Sequence, residues 1–146
     1  MATERDQVDP FDQRVDFPFW DGLGRGELRV QRCVACRAWR WPADWRCPEC
    51  GSYDLGWEVV EATGTVYSWT RTRQAFVPAF ADLVPYVNVL VELPQAGGAR
   101  LLGLLVGNAD ERDVRIGASV IGHVAAPSER TLDLPALQWT LAGGAR

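Results

Sequence analysis

All four cysteines of this chain lie in one window, as Cys33-Val34-Ala35-Cys36 and Cys47-Pro48-Glu49-Cys50-Gly51. Two C-x-x-C hooks separated by ten residues mark a tetrahedral metal site with four thiolate ligands. The reason is local: two residues between the cysteines let one tight turn aim both sulfurs at one point. Pro48 sets φ inside the second turn, and Gly51 accepts the left-handed conformation after it. Backbone N–H groups of each turn then point at the sulfurs. The alternative, pairing into two disulfides, needs an oxidising compartment. Residues 1–16 carry Glu4, Arg5, Asp6, Asp9, Asp12, Arg14 and Asp16 rather than an apolar export segment. A soluble, cytoplasmic protein with reduced cysteines is therefore expected.

Four protein ligands leave no open coordination position. Cys33, Cys36, Cys47 and Cys50 thus predict a structural metal, not one that activates water. The stretch from Leu28 to Trp57 is too short for a core of its own. A structural zinc supplies on the order of 10 kcal/mol of folding free energy to such a segment. Iron held by four thiolates, as in a rubredoxin-like electron carrier, is the other reading. Those carriers usually separate their hooks by a longer stretch, and ten residues suit a zinc-ribbon hairpin. Colour distinguishes the two, since an iron site is red and a zinc site colourless.

The rest of the chain reads as mainly β. Phe17–Leu23 predicts a short helix, with Asp16 as cap and Gly24 and Gly26 as breakers. Leu28–Arg32 is a strand leading into the first hook, and Trp39-Arg40-Trp41-Pro42 is the middle of the ribbon hairpin. Trp57–Glu61 and Thr65–Arg73 read as strands joined through Gly64. Tyr86–Leu93 alternates, with Val87, Val89, Val91 and Leu93 on one face. Arg100–Val106 follows, where Gly103 suggests a bulge or barrel corner. Ser119–Ala125 and Leu137–Leu141 complete the set, after a turn at Asp113–Gly117. This pattern predicts an N-terminal tail and helix at 1–27, a rubredoxin-like zinc ribbon at 28–56, a five-stranded OB-fold barrel at 57–142 and a disordered tail at 143–146.

The formal net charge of −4 weighs against a dedicated nucleic-acid binder, which normally carries excess cations. Every side-chain cation is an arginine, so no lysine amine is present for Schiff-base chemistry. His123 is the single histidine, so a catalytic histidine pair is impossible within the chain. It falls in an apolar strand and reads as a packed or surface residue. Gly117–Gly122 is one residue too long for a nucleophile elbow. Gly22–Gly26 does not follow a strand, so a dinucleotide loop fails its context test. Asp110, Glu111 and Asp113 read as solvated surface. No catalytic residue is predicted.

The motif order resembles a known family. An aromatic helix with Phe19, Trp20 and Leu23 precedes Gly26-Glu27-Leu28 and Gln31-Arg32-Cys33. The ribbon ends Cys47-Pro48-Glu49-Cys50-Gly51-Ser52. Trp57, Gly64-Thr65-Val66-Tyr67-Ser68-Trp69, Pro85-Tyr86-Val87 and Val114-Arg115-Ile116-Gly117 follow. Over residues 17 to 125 this is similar to the zinc-ribbon plus OB-fold proteins of domain-of-unknown-function family 35. The resemblance implies a non-catalytic small subunit or fused domain that stabilises an acyl-CoA enzyme. Implied partners are thiolase-like retro-aldolases or acyltransferases and MaoC-type hydratases, several of them in bacterial steroid side-chain degradation. The family's Pro-Pro-Arg before the third cysteine is replaced here by Pro42-Ala43-Asp44-Trp45-Arg46. Its terminal Pro-aromatic-x-Pro is replaced by Leu137-Gln138-Trp139-Thr140.

Two segments are candidates for contact with a partner or with acyl-CoA. Trp41 and Trp45, flanked by Arg40 and Arg46, form the tryptophan–arginine mixture found at interface hot spots, although packing of ribbon on barrel also uses such rings. Gln74–Pro85 is too apolar for a loop that meets only water, with Phe76, Val77, Phe80, Leu83 and Val84. Arg71 and Arg73 precede it and are expected on one strand face with Tyr67 and Trp69. They suit CoA phosphates or partner carboxylates, or salt bridges to Glu58, Glu61 or Glu92. The rival class is an OB-fold binder of single-stranded nucleic acid, which needs a basic groove.

Overall fold

The computed structural model describes residues 14–107 and 113–143. Asp110 and Glu111 and most of the expected tail lie outside them. The chain is mainly β, with helix α1 (Phe17–Gly24), a three-stranded ribbon sheet and a closed five-stranded barrel. Strands β1 (Leu28–Cys33), β2 (Trp39–Arg40) and β3 (Leu55–Val60) form the first sheet, in the order β2-β1-β3. Strands β4 (Thr63–Thr72), β5 (Tyr86–Leu93), β6 (Ala99–Leu105), β7 (Ser119–Ala125) and β8 (Ala136–Leu141) form the barrel. Its order, β4-β5-β6-β8-β7 with β7 back on β4, is the Greek-key closure of an OB-fold.

Helix α1 forms where expected, but Asp16 does not cap it. Its carboxylate accepts from Trp20 Nε1 at 3.1 Å and from Arg14 at 3.0 Å, with no bond to a helix N–H. The indole competes for the oxygen that a cap would need. The helix ends at Gly24, and Gly26 takes a φ of 76°.

The strand expected to begin the barrel belongs to the ribbon instead. Leu55–Val60 pairs along its length with β1, from Leu28↔Val60 to Cys33↔Leu55. The barrel ladder therefore begins at Thr63, not at Trp57. Local sequence marks this stretch as a strand but does not say which strand lies beside it. Gly64 is not the joint between strands: it sits inside β4, paired with Val120.

Inside the barrel, Val66, Val89, Val91, Leu101, Val120 and Trp139 point inward and are buried. They join one core cluster with Phe19, Leu23, Leu28 and Val30 from the helix and ribbon. Gly103 marks no bulge, because the β5–β6 register runs through it unbroken. A Cβ there would lie 2.7 Å from Leu137 O and 2.8 Å from Trp139 Cδ1. It is glycine because the fully buried indole of Trp139 fills the space beside it. The bulge occurs in β4, where Tyr67 is the extra residue between Val66↔Val91 and Ser68↔Leu90.

Candidate metal centre and contact surfaces

The two hooks are built alike. Cys33 N donates to Ala38 O at 2.9 Å, and Arg37 N to Cys33 O at 3.0 Å. Cys47 N donates to Ser52 O and Gly51 N to Cys47 O, both at 2.8 Å. Each turn closes on a left-handed residue just after its second cysteine, Arg37 at φ 66° and Gly51 at φ 78°. The second was expected from glycine. The first was not, since an arginine in that conformation costs roughly 1–2 kcal/mol. Its surroundings hold it there. Arg32 Nε donates to Arg37 O at 2.7 Å, and Arg32 and Arg37 both grip the Glu58 carboxylate on β3.

The four sulfurs lie within 4.8 Å of one another, with Cys33–Cys50 and Cys36–Cys47 separations of 3.7 Å. All four cysteines are free, and these separations far exceed the ~2.05 Å of a disulfide. A tetrahedral ion with metal–sulfur bonds of about 2.3 Å needs sulfur–sulfur edges of about 3.75 Å. The donor set fits a structural metal ion, with Cys33 and Cys47 facing the interior and Cys36 and Cys50 facing outward. Without an ion, four thiolates this close repel one another. The N–H of Cys36 leads the effects that lower the Cys33 thiol to about 7. The N–H of Ala38 favours a Cys36 thiolate too, but burial and the three neighbouring sulfurs outweigh it and push Cys36 up to about 12.

Buried Gln31 on β1 acts like a strand partner to the segment between the hooks. Its Nε2 donates to Asp44 O and its Oε1 accepts from Asp44 N, both at 2.9 Å. This pins the segment that carries the ribbon tryptophans. Trp41 is half-buried with its ring 4.6 Å from that of Phe19, whereas Trp45 is 66% exposed. Packing therefore accounts for Trp41 and leaves Trp45 on the surface. Arg46 donates to Gly51 O at 2.9 Å and lies 5.3 Å from the ring of exposed Tyr53.

The other four candidates gather where β4 leads into β5. Arg71 is half-buried and Arg73 exposed. They do not share a face with Tyr67, because the bulge turns Tyr67 outward while Trp69 packs on the core. Two of the three carboxylates considered for Arg71 and Arg73 have other arginines: Glu58 binds Arg32 and Arg37, and Glu92 binds Arg100 at 3.0 Å. Phe80 sits in a 3-10 turn, Pro78–Phe80, with its ring 5.6 Å from Tyr86, and Phe76 is 83% exposed. A groove of about 400 Å³ opens between α1 and the barrel, lined by Phe19, Trp20, Trp41, Leu90, Arg100 and Leu102 among others. His123 is exposed, with Nε2 2.8 Å from Thr140 Oγ1.

Arg130 escaped the sequence reading. It donates to Ala79 O at 2.8 Å and pairs with Asp82, so it fastens the β7–β8 connection to the β4–β5 connection. No local pattern announces a contact between segments 48 residues apart.

Comparison with known proteins agrees with this architecture. Residues 20–56 match the ChsH2 rubredoxin-like zinc ribbon domain, and residues 57–123 match the ChsH2 C-terminal OB-fold domain. The chain is 42% identical over 109 residues to a probable enoyl-CoA hydratase alpha subunit of Thermomonospora curvata. It is 38% identical over 104 residues to the 3-oxo-4,17-pregnadiene-20-carboxyl-CoA hydratase alpha subunit of Mycobacterium tuberculosis. Those matches take in 73% and 70% of this chain but only 32% and 31% of the relatives, so the chain spans about a third of their length. Among solved structures, a chain of an Ltp2-ChsH2(DUF35) aldolase superposes with a TM-score of 0.77 at 31% identity, covering 88% of this chain and 94% of that one. A family-35 protein of unknown function from Sulfolobus solfataricus shares the fold, at TM-score 0.56 and 17% identity, covering 94% of this chain and 90% of that one. The chain belongs to the ChsH2-type zinc-ribbon plus OB-fold family, domain-of-unknown-function family 35.

Proposed function

We propose that this chain is a non-catalytic accessory subunit of a heteromeric acyl-CoA-processing complex. Its partner on this reading is a thiolase-like retro-aldolase or acyltransferase acting in steroid side-chain degradation, which it stabilises. The observation that carries the reading is the likeness, over nearly the whole of both chains, to the chain in the Ltp2-ChsH2 aldolase. The hydratase alpha-subunit names of the sequence relatives make a MaoC-type hydratase the second partner to test. The metal on this reading is zinc. It is structural, because four thiolates close the coordination shell. Reduced thiols of this kind persist in the cytoplasm.

Acyl-CoA, if it reaches this chain, would meet Arg71 and Arg73 through its phosphates and Phe76 and Phe80 through its apolar part. A nucleic-acid role has less support. On the outer face of β5 and β6, Asn88, Leu90 and Glu92 stand opposite Leu104, Leu102 and Arg100. That single cation is bound to Glu92 and stacked 3.6 Å from the Tyr67 ring, which is no cationic track for a phosphate backbone. Co-expression with an Ltp2-type aldolase subunit, followed by size exclusion and an aldolase assay, tests the proposal. A joint peak and a more stable aldolase are expected. A chain that elutes alone and changes neither aldolase nor hydratase activity rejects it. Substituting alanine at Arg71 and Arg73 tests the CoA contact, which unchanged acyl-CoA binding would remove.

A further inference from the structure

The segment around Leu132 is built against ordinary preference. Leu132 takes φ 52° and ψ 42°, and Asp133 follows at φ 60°. Two successive non-glycine residues in the left-handed region are uncommon, and such strain gathers where function fixes it. Folding gains little by burying this leucine, because its side chain is 84% exposed. Yet the segment is held firmly. Ser128 and Thr131 cap the turn Glu129–Thr131 reciprocally. Asp133 N donates to Ser128 O at 2.9 Å, and Leu134 N to Thr131 O at 3.0 Å. Arg130 then ties the turn to Ala79 and Asp82 of the β4–β5 connection. That connection carries its own exposed ring, Phe76, beside half-exposed Val77, and is rooted by Phe80 on Tyr86.

We propose that these two connections form one preorganised docking knob, with Leu132 and Phe76 as its anchors. Its occupant is a protein subunit that offers an apolar pocket rimmed by basic side chains. The charges select that chemistry. Glu129 and Asp133 flank Leu132 and are exposed, while the Arg130 guanidinium is turned toward Ala79 and Asp82. The two carboxylates beside Leu132 complement a basic rim on the partner, while Arg71 and exposed Arg73 lead into the other connection near Phe76. Anchors fixed before binding lose little entropy on docking. In an OB-fold these are the two loops that flank the ligand-binding face. The inference rests on the subunit reading given above, and it names the surface that reading would use.

The probe is a purified Ltp2-type aldolase subunit, titrated against the metal-loaded chain and its variants. Leu132→Gly removes the anchor and relieves the backbone, so its melting temperature should hold or rise while affinity falls tenfold or more. Phe76→Ser should weaken binding in the same way, and Trp45→Ala should not. Wild-type binding with undiminished affinity in Leu132→Gly and Phe76→Ser overturns the knob and leaves the subunit reading intact. Leu132→Gly melting well below wild type also counts against it, since the side chain would then be structural. Absence of wild-type binding to the aldolase subunit and to a MaoC-type hydratase subunit alike overturns both readings. Binding of a thymidine oligomer that Leu132→Gly abolishes assigns the loops to nucleic acid and refutes protein docking.

Discussion

Replacing Gly103 by alanine should destabilise the barrel out of proportion to one methyl group. The added Cβ would stand 2.7 Å from Leu137 O, 2.8 Å from Trp139 Cδ1 and 2.9 Å from Trp139 Nε1. Neither neighbour can yield cheaply. Leu137 O belongs to the backbone of β8, which pairs with β6 at the next step, Leu104↔Gln138. The Trp139 ring is fully buried and also presses on Gly122, where a Cβ would lie 3.1 Å from Trp139 Cζ3. Overpacking of this kind costs about 1–3 kcal/mol. The smaller unfolded-state entropy of alanine gives back about 0.4–1 kcal/mol. A net loss of roughly 1–2 kcal/mol, at roughly 3–5 °C per kcal/mol for a chain of this size, lowers the melting temperature by about 3–10 °C. Gly64→Ala should be at least as costly, with its Cβ 2.5 Å from Glu92 O and 2.6 Å from Val91 Cγ1. Gly24→Ala is the matched control: no atom lies within 4 Å of its Cβ, so it should be neutral or mildly stabilising. Thermal unfolding followed by circular dichroism on metal-saturated protein measures all three. If Gly103→Ala melts with Gly24→Ala, the close approach of β6 to Trp139 is not what requires glycine.

Metal uptake at pH 7 should expel protons, because all four cysteines bind as thiolates; Cys36, whose thiol is pushed up to about 12, holds its proton firmly, whereas Cys33, lowered to about 7, is already partly ionised. Affinity should therefore weaken as pH falls, and calorimetry in buffers of different ionisation enthalpy reads the proton count. One colourless ion per chain, lost in Cys47→Ser, is expected; a red preparation would make the centre an iron site. The Arg130 guanidinium, through its hydrogen bond, holds the Asp82 carboxyl below its ordinary value. Its share of stability is then whole above pH ~4 and disappears as pH falls through the lower folded value. Carboxyl-carbon NMR should show an early Asp82 titration that Arg130→Ala returns to normal, and an unchanged midpoint in that variant would dismiss the clamp.

Legibility in the sequence followed the range of the interaction. The hooks were readable because two residues and a following glycine decide where a sulfur points. Tyr86–Leu93 was readable because its partners on both sides keep its apolar face inward. Reading failed where the deciding atom is distant. Nothing local to Leu55–Val60 says that its neighbour is β1 and not a barrel strand. Nothing in Thr65–Arg73 announces that Tyr67 is the extra residue of a bulge, and a regular strand would put Arg71 and Tyr67 on one face. Arg37 gave no left-handed signal, because Arg32 and Glu58 supply what glycine would have supplied through freedom. The six contact candidates were singled out by composition, which says nothing of exposure. Exposure then separated Trp45 and Phe76 from the packed Trp41 and Phe80.

The metal and the barrel ladder hold different segments of the chain, which makes the two exposed surfaces separable. At its near end the ribbon is welded to the barrel. Gln95 Nε2 donates to Glu61 O at 2.7 Å and to Thr63 O at 2.8 Å, across the step from β3 to β4. Trp39 fills the space beside Gly97, and the core runs on from Val30 to Val89. At its far end the hook with Arg46 and Tyr53 is fastened by its sulfurs and by bonds such as Val34 N to Asp54 O at 2.9 Å. Removing the metal should loosen that end first, while the loops bearing Phe76 and Leu132 stay rooted on a closed barrel. Chelated protein that still binds an aldolase subunit would place the contact on the barrel loops. Chelated protein that loses binding while keeping its barrel signal would move the contact to the ribbon and so sink the knob.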